Sequence, residues 1–224
     1  MPYPKLNKVV VDGDDTQVSV GDAEAAIVGL GSEAEATSGT EGISYAGQGG
    51  TAVNSRYGFA IAGEGGVARG GAESFAYAFD GGSTSVGDGG VAWSRRGGTA
   101  SADGFAMALA VDSSSTAGHD STAYALSQNR ATTSASSGVR GVSIVRTHPV
   151  PADAREPATA IADVGGVAIA FGDNYVQGAL GSLLIIVGSS KEGSPTFSVG
   201  LVGKGGIAPN APYTVDSKGL LVPV

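Results

Sequence analysis

The stretch YGFAIAGEGGVARGGAESFAYAFDGG, Tyr57 to Gly82, decides the fold because it says nearly the same thing twice, sixteen residues apart. Gly65-Gly66 returns as Gly81-Gly82, Phe59 as Phe75 and Ile61 as Tyr77. Working outward, glycine pairs stand at 49-50, 65-66, 81-82 and 97-98, and the bulky series Ile43, Phe59, Phe75, Val91 keeps the same interval. A second series, Tyr45, Ile61, Tyr77, Trp93, follows two residues behind. Such regularity describes an architecture before it describes a chemistry.

Each repeat alternates a bulky half, GFAIAGE or SFAYAFD, with a small half, GGTAVNSR, GGVARGGA or GGSTSVGD. Large residues at i and i+2 are a strand signal, because side chains alternate between faces with period two. A helix would lose about 1 kcal/mol at every interior glycine relative to alanine. Strand, glycine corner, strand and glycine corner make one coil of a parallel β-solenoid, in which every coil satisfies its backbone by pairing with its neighbours. The expected fold is therefore all-β, a parallel β-solenoid or β-roll of about sixteen-residue coils with a small antiparallel β cap at the C-terminus.

Equivalent positions should stack into ladders: Ile43, Phe59, Phe75, Val91 and Phe105 in one, Tyr45, Ile61, Tyr77, Trp93 and Met107 in the other. Phe105 and Met107 read as arriving two residues early, in DGFAMALA. These ladders are expected to form the core, with Tyr77 and Trp93 pointing inward. If those two pointed outward, they would offer a stacking surface to a glycan or protein. Ala60, Ala62, Ala76, Ala78 and Ala92 then fall on the opposite face, as a flat strip that another chain could approach closely.

The segment THPVPADAREP, 147 to 157, carries three prolines, which a central ladder cannot hold, and is expected to project as a loop. Its His148 is a candidate binding residue. ATAIADVGGVAIAFGD restores the motif at Val167 and Ile169. VVVDGDDTQVSV reads as two strands around Asp12 to Asp15, and SLLIIVGSSKEGSPTFSVGLV and YTVDSKGLLVPV as hairpins. The predicted organisation is an N-terminal β cap over 1–22, a solenoid over 23–176 and a small C-terminal β domain over 177–224.

Composition fits a thin core. Glycine contributes 38 of 224 residues and only 6% are aromatic, so backbones must approach closely. Glycine does not fall at every third position, which excludes collagen. With no cysteine there is neither a disulfide framework nor a thiolate metal site. A net charge of −8 argues against nucleic acid as a partner. No run of eighteen apolar residues predicts membrane insertion, and no export signal is expected at the N-terminus.

Catalytic patterns are missing. His119 and His148 are the only histidines and neither has a triad or metal spacing. GKGG lacks the phosphate-loop spacing, DGDD lacks the rest of a calcium loop, and the acids fall mostly at coil corners. The expectation is a non-enzymatic protein without cofactor or metal. Its compartment is not specified by the sequence, virion-associated and cytoplasmic settings both being compatible.

The units YGFAIAGEGGVARGG and GGVAIAFGD resemble the head repeats of trimeric autotransporter adhesins, whose small-apolar-alanine phrases form a parallel β-roll. They also look like alanine- and glycine-rich repeat proteins encoded in phages and prophages, and the tail GKGGIAPNAPYTVDSKGLLVPV is similar to an ending found on those proteins. The resemblance implies a homotrimer acting as a structural or adhesive module of a phage or phage-derived fibre, spike or surface assembly. Two other readings stand beside it: an acidic rod that occupies a partner's basic groove as an inhibitor or decoy, and a polysaccharide-cleaving enzyme.

Overall fold

The computed structural model describes residues 8–127, 133–147, 157–189 and 195–224. Over these the chain is all-β: parallel strands wind through about ten solenoid turns, and antiparallel strands follow at the C-terminus. The chain divides into two compact units, 1–110 and 111–224.

The strands of the first unit are β1 (Lys8–Val11), β2 (Gln17–Ser19), β3 (Glu24–Val28), β4 (Glu35–Thr40), β5 (Ile43–Ala46), β6 (Thr51–Arg56), β7 (Phe59–Ala62), β8 (Val67–Ala72), β9 (Phe75–Ala78), β10 (Ser83–Val86), β11 (Val91–Ser94), β12 (Ala100–Ala102) and β13 (Met107–Val111), the last ending at the boundary. Odd-numbered strands pair in one parallel sheet and even-numbered strands in the other. The sixteen-residue interval is the pairing register itself: Ile43 lies beside Phe59, Phe59 beside Phe75, Phe75 beside Val91, and Val91 beside Met107. Tyr45, Ile61, Tyr77, Trp93 and Leu109 form the second file.

The ladders exist, but they face the other way. Ala60, Ala62, Ala76, Ala78 and Ala92 are fully buried, whereas Phe59, Tyr45 and Met107 are exposed and Trp93 is 40% exposed. Tyr77 and Ile61 are half-buried on the same outer face. The expected inward ladder and outward alanine strip are thus exchanged, and volume is the reason. Two sheets of a narrow coil share one interior, where a file such as Ala26, Ser44, Ala60, Ala76, Ala92, Ala108 leaves room for little beyond a methyl or hydroxymethyl group. That apolar residues belong inside is a rule in one direction only, and here the large ones cover the outside.

A second correction concerns phase. Met107 stands sixteen residues after Val91 and directly beside it, so the register does not slip. Phe105 is not in the ladder; it occupies a corner with φ 53° and is 68% exposed.

Corners are built as the glycine pairs suggest. Gly49, Gly65, Gly81 and Gly97 all have φ between 69° and 79°, a left-handed conformation costly for other residues. The Gly65 N–H donates to the Asp80 carbonyl and the Gly81 N–H to the Arg96 carbonyl, so the corners themselves are stitched from coil to coil. The second glycine of the pair serves packing: a Cβ on Gly82 would lie 2.6 Å from the Gly66 carbonyl oxygen and 2.8 Å from the Ala78 Cβ.

One buried polar cluster interrupts the alanine files. Asn54 Nδ2 donates to the Gly39 and Gly42 carbonyls at 2.9 and 3.2 Å, its Oδ1 accepts from Ser74 Oγ at 2.8 Å, and Ser44 Oγ donates to Ser38 Oγ at 2.8 Å. Room for it comes from Gly58, where a Cβ would meet the Asn54 amide at 2.2 Å.

The second unit contains β14 (Ser115–Ala117), β15 (Thr122–Ser127), β16 (Ser134–Ser137), β17 (Val142–Thr147), β18 (Thr159–Ala162), β19 (Val167–Phe171), β20 (Tyr175–Gly178), β21 (Leu183–Ser189), β22 (Pro195–Leu201), β23 (Tyr213–Val215) and β24 (Leu221–Pro223). Parallel pairing continues through β15, β17, β19 and β21 on one side and β14, β16, β18 and β20 on the other. The interior here admits larger groups, Val145, Val176, Leu184 and Ile186, with Gly178 yielding space to Leu184.

Both expected hairpins are present. β21 pairs antiparallel with β22, and β23 with β24 around the Asp216 turn. Asp216 Oδ1 accepts the N–H groups of Leu220 and, with a smaller effect, Lys218, which hold its carboxyl below the usual aspartate range. At the other end, β1 and β2 pair in parallel with β3 and β4, so the two strands read as a cap are the first solenoid turn. Most of the proline segment, 148–156, including His148, lies outside the described residues.

Candidate functional site

Because the outward files carry the bulky residues, the surface of each unit is sharply two-sided. In the first unit the outer face of the odd-strand sheet bears Ile43, Phe59, Phe75, Val91, Met107 and Tyr45, Ile61, Tyr77, Trp93, Leu109, with no charged residue in either file. The even-strand sheet presents Glu35, Thr51, Val67, Ser83 and Thr37, Val53, Arg69, Ser85, Ser101 instead. The two faces share a backbone and differ only in what the alternating positions carry.

On the apolar face the rings are ordered. Tyr77 meets Trp93 edge-on at 5.4 Å and Phe79 edge-on at 4.9 Å, while Phe59 and Phe75 tilt against each other at 5.9 Å. Edge-to-face pairs of this kind contribute about 0.5–1.5 kcal/mol beyond burial. The structure therefore brings Tyr77 and Trp93 together on the surface, and joins Phe79 to them.

Phe79 belongs to a corner position that sequence reasoning passed over. Residues 47, 63, 79 and 95 follow directly on the stacked inner positions Ala46, Ala62, Ala78 and Ser94. The first two are glycine and the last two are Phe79 and Arg95. Beside Gly63 a shallow, largely open depression of about 440 Å³ is lined by Leu30, Tyr45, Gln48, Glu64, Phe79, Asp80 and Arg95. No side chain can be inserted at Gly63 in this backbone, since a Cβ would lie 2.5 Å from Gln48 N and Gly47 C. Arg95 Nε and Arg96 Nη1 approach the two Asp80 oxygens at 3.7 and 3.8 Å, and Asp80 Oδ1 is shielded from solvent and accepts no hydrogen bond. The repeat arithmetic contained the signal: two glycines followed by two large side chains in one column.

At another corner Arg56 lies 4.4 Å over the Tyr57 ring and pairs with Glu73 at 2.9 Å. Bonds from Arg56 and then Tyr57 hold the Glu73 carboxyl below its ordinary range, and Glu73 raises the Tyr57 phenol in turn. In the second unit the guanidinium of Arg140 grips Asp120 through both oxygens and depresses its carboxyl. His119, next to that pair, is exposed. Among the described residues no group of His, Cys, Asp and Glu is arranged to hold a metal ion, and no helix is long and apolar enough to cross a membrane.

The second unit has its own apolar face, and it is largely aliphatic. Val142, Val167, Leu183 and Leu201 form one outward file, and Ile144, Ile169, Ile185 and Val199 the next. Phe171, Val187 and Phe197 continue a third from Arg146. Val199 is 60% and Phe197 66% exposed. Its opposite sheet shows Thr116, Ser136, Ile161, Gln177 and Ser134, Thr159, Tyr175.

Comparison with protein-family models, with curated proteins and with solved structures found no match to this chain.

Proposed function

We propose that this protein is a non-enzymatic structural or adhesive module that self-assembles through the aliphatic face of its second unit, as a homotrimer. The supporting observation is that in two adjacent outward files there, which open with Thr122 and Tyr124, the next eight side chains, from Val142 to Leu201 and from Ile144 to Val199, are all aliphatic. Soluble monomers seldom expose a contiguous apolar surface of this kind, and β-branched residues on a pleated sheet suit face-to-face packing about 10 Å apart. A second copy offers the same composition and the same spacing, so it is the complementary occupant. The alanine strip expected to serve this purpose is interior and takes no part.

The trimer, and a setting in a phage or phage-derived fibre, spike or surface assembly, follow from the resemblance of the repeats to adhesin heads and phage repeat proteins. A decoy would need a continuous acidic stripe, and among the described residues the corner acids are interrupted by Tyr57 and by arginine pairs. Light scattering after size-exclusion chromatography is the test. A species near three times 21.8 kDa at every concentration supports the reading; a monomer throughout removes it.

A further inference from the structure

From the site beside Gly63 we infer a second activity, independent of assembly: the first unit binds a neutral oligosaccharide in that notch. Three features of its lining converge on this class. Tyr45 and Phe79 are both 37% exposed, so their rings are available to the C–H face of a pyranose, which the electron-rich face of an aromatic ring attracts. Around those rings stand Gln48, Glu64, Asp80 and Arg95, an amide, two carboxylates and a guanidinium. Sugar hydroxyls, which both donate and accept, are the groups that use such a mixture fully. In particular, Asp80 Oδ1 accepts no hydrogen bond, its arginines standing off at 3.7 and 3.8 Å, and a ligand hydroxyl entering as Arg95 swings aside would supply the missing donor.

Charge narrows the class further. The lining sets two carboxylates, Glu64 and Asp80, against the single guanidinium of Arg95, so it carries no excess positive charge even when Arg95 moves. No uncompensated positive charge remains for a phosphate, sulfate or uronate, which excludes nucleotides and acidic glycans as the fitting ligand. A wholly apolar ligand would leave the polar rim unpaired. The volume of about 440 Å³ falls within the roughly 300–1,000 Å³ of small-ligand sites, and the open side lets a chain of sugars continue past the notch.

The experiment uses the full chain and three neutral probes, maltohexaose, cellohexaose and chitotetraose, with polygalacturonate as the acidic control. Binding is read by saturation-transfer NMR and by emission of the single tryptophan, Trp93, which touches Phe79 through Tyr77. One neutral probe is expected to bind, with affinity falling about tenfold or more in Tyr45→Ala and in Phe79→Ala. Both side chains point outward, so melting temperature verifies that these variants fold. Leu30→Arg, at a position 53% exposed on the rim, provides an independent block. Failure of all three neutral probes at ~10 mM overturns the inference, as does undiminished binding in both ring variants. Binding of polygalacturonate alone, lost in Arg95→Ala, also overturns it. Because the assembly face lies in other residues, Ile169→Glu leaves sugar binding unchanged even where it alters mass.

Discussion

The first and second units put the same backbone to different use on their outer faces. The first carries Tyr45, Phe59, Phe75, Tyr77 and Trp93, rings that expose an apolar face beside polar corners; the second carries Val142, Ile144, Val167, Ile169, Leu183 and Ile185, side chains with nothing but hydrocarbon to offer. Aromatic surface suits recognition of mixed ligands, because a ring adds directional interactions to its area. Aliphatic surface suits a partner equally aliphatic. The difference teaches that in a solenoid with an alanine interior the outward files, freed from any duty in the core, are where function is written.

The comparison breaks most sharply by placing charge on each face in turn. Ile169→Glu with Ile185→Glu should convert the proposed assembly to monomer, an unpaired buried charge costing on the order of 3–5 kcal/mol at an interface. Phe75→Glu in the first unit should leave mass unchanged. Light scattering on the two variants side by side decides it, and dissociation by the second alone would reverse the assignment of faces.

Next in size is a test of the shared scaffold. Gly82→Val would force a side chain into the Gly66 carbonyl and Ala78, and should lower stability by about 3 kcal/mol or more, whereas Gly81→Ala meets no neighbouring atom and should cost only the roughly 1–2 kcal/mol of its left-handed φ. Denaturant melts that rank the two in the opposite order would refute the packing role given to the second glycine.

Asn54→Ala should cost about 1–3 kcal/mol, because the Ser74 hydroxyl and the Gly39 and Gly42 carbonyls each lose a buried hydrogen bond, although Gly42 keeps the Phe59 N–H and Ser74 the Ala72 carbonyl. Ser94→Ala sharpens the point from the other side. Ser94 Oγ is buried without a hydrogen-bond partner, so its removal should leave stability equal or higher, by up to about 1 kcal/mol. A loss on Ser94→Ala would show that the hydroxyl is satisfied after all.

The smallest effect is electrostatic. Arg140 depresses the Asp120 carboxyl, so the pair's contribution is fully present above the ordinary aspartate pKa near 4 and is lost as pH falls through the lower folded-state value. Exposed as it is, Arg140–Asp120 should add little. Comparing acid unfolding of the protein with that of Asp120→Asn should reveal a small difference at neutral pH that is lost as pH falls through the lowered Asp120 pKa.

The coil period, strand alternation, corner glycines and both terminal hairpins were legible because each depends on local spacing. Which face turns inward was not, because alternation defines two faces without ranking them, and hydrophobicity ranked phenylalanine above alanine. A subtler cue was available. The file of Ile43, Phe59, Phe75, Val91 and Met107 varies widely in volume from coil to coil, while its inner neighbours Ser44, Ala60, Ala76, Ala92 and Ala108 stay small throughout. Where the interior is narrowest it holds only small side chains, a limit the surface does not share. The notch escaped notice for a related reason: its walls come from five successive coils, and only the register places Tyr45, Glu64, Phe79 and Arg95 around Gly63.

Pairing in the second unit has one further consequence. Thr122 lies beside Val142, twenty residues on, and Val142 beside Val167, twenty-five on, yet Val167 and Leu183 return to sixteen. The surplus falls each time after an odd-numbered strand, between β15 and β16 and between β17 and β18, and the neighbouring ladders keep their alignment. Text can therefore be added at that seam without rewriting the lines above and below it.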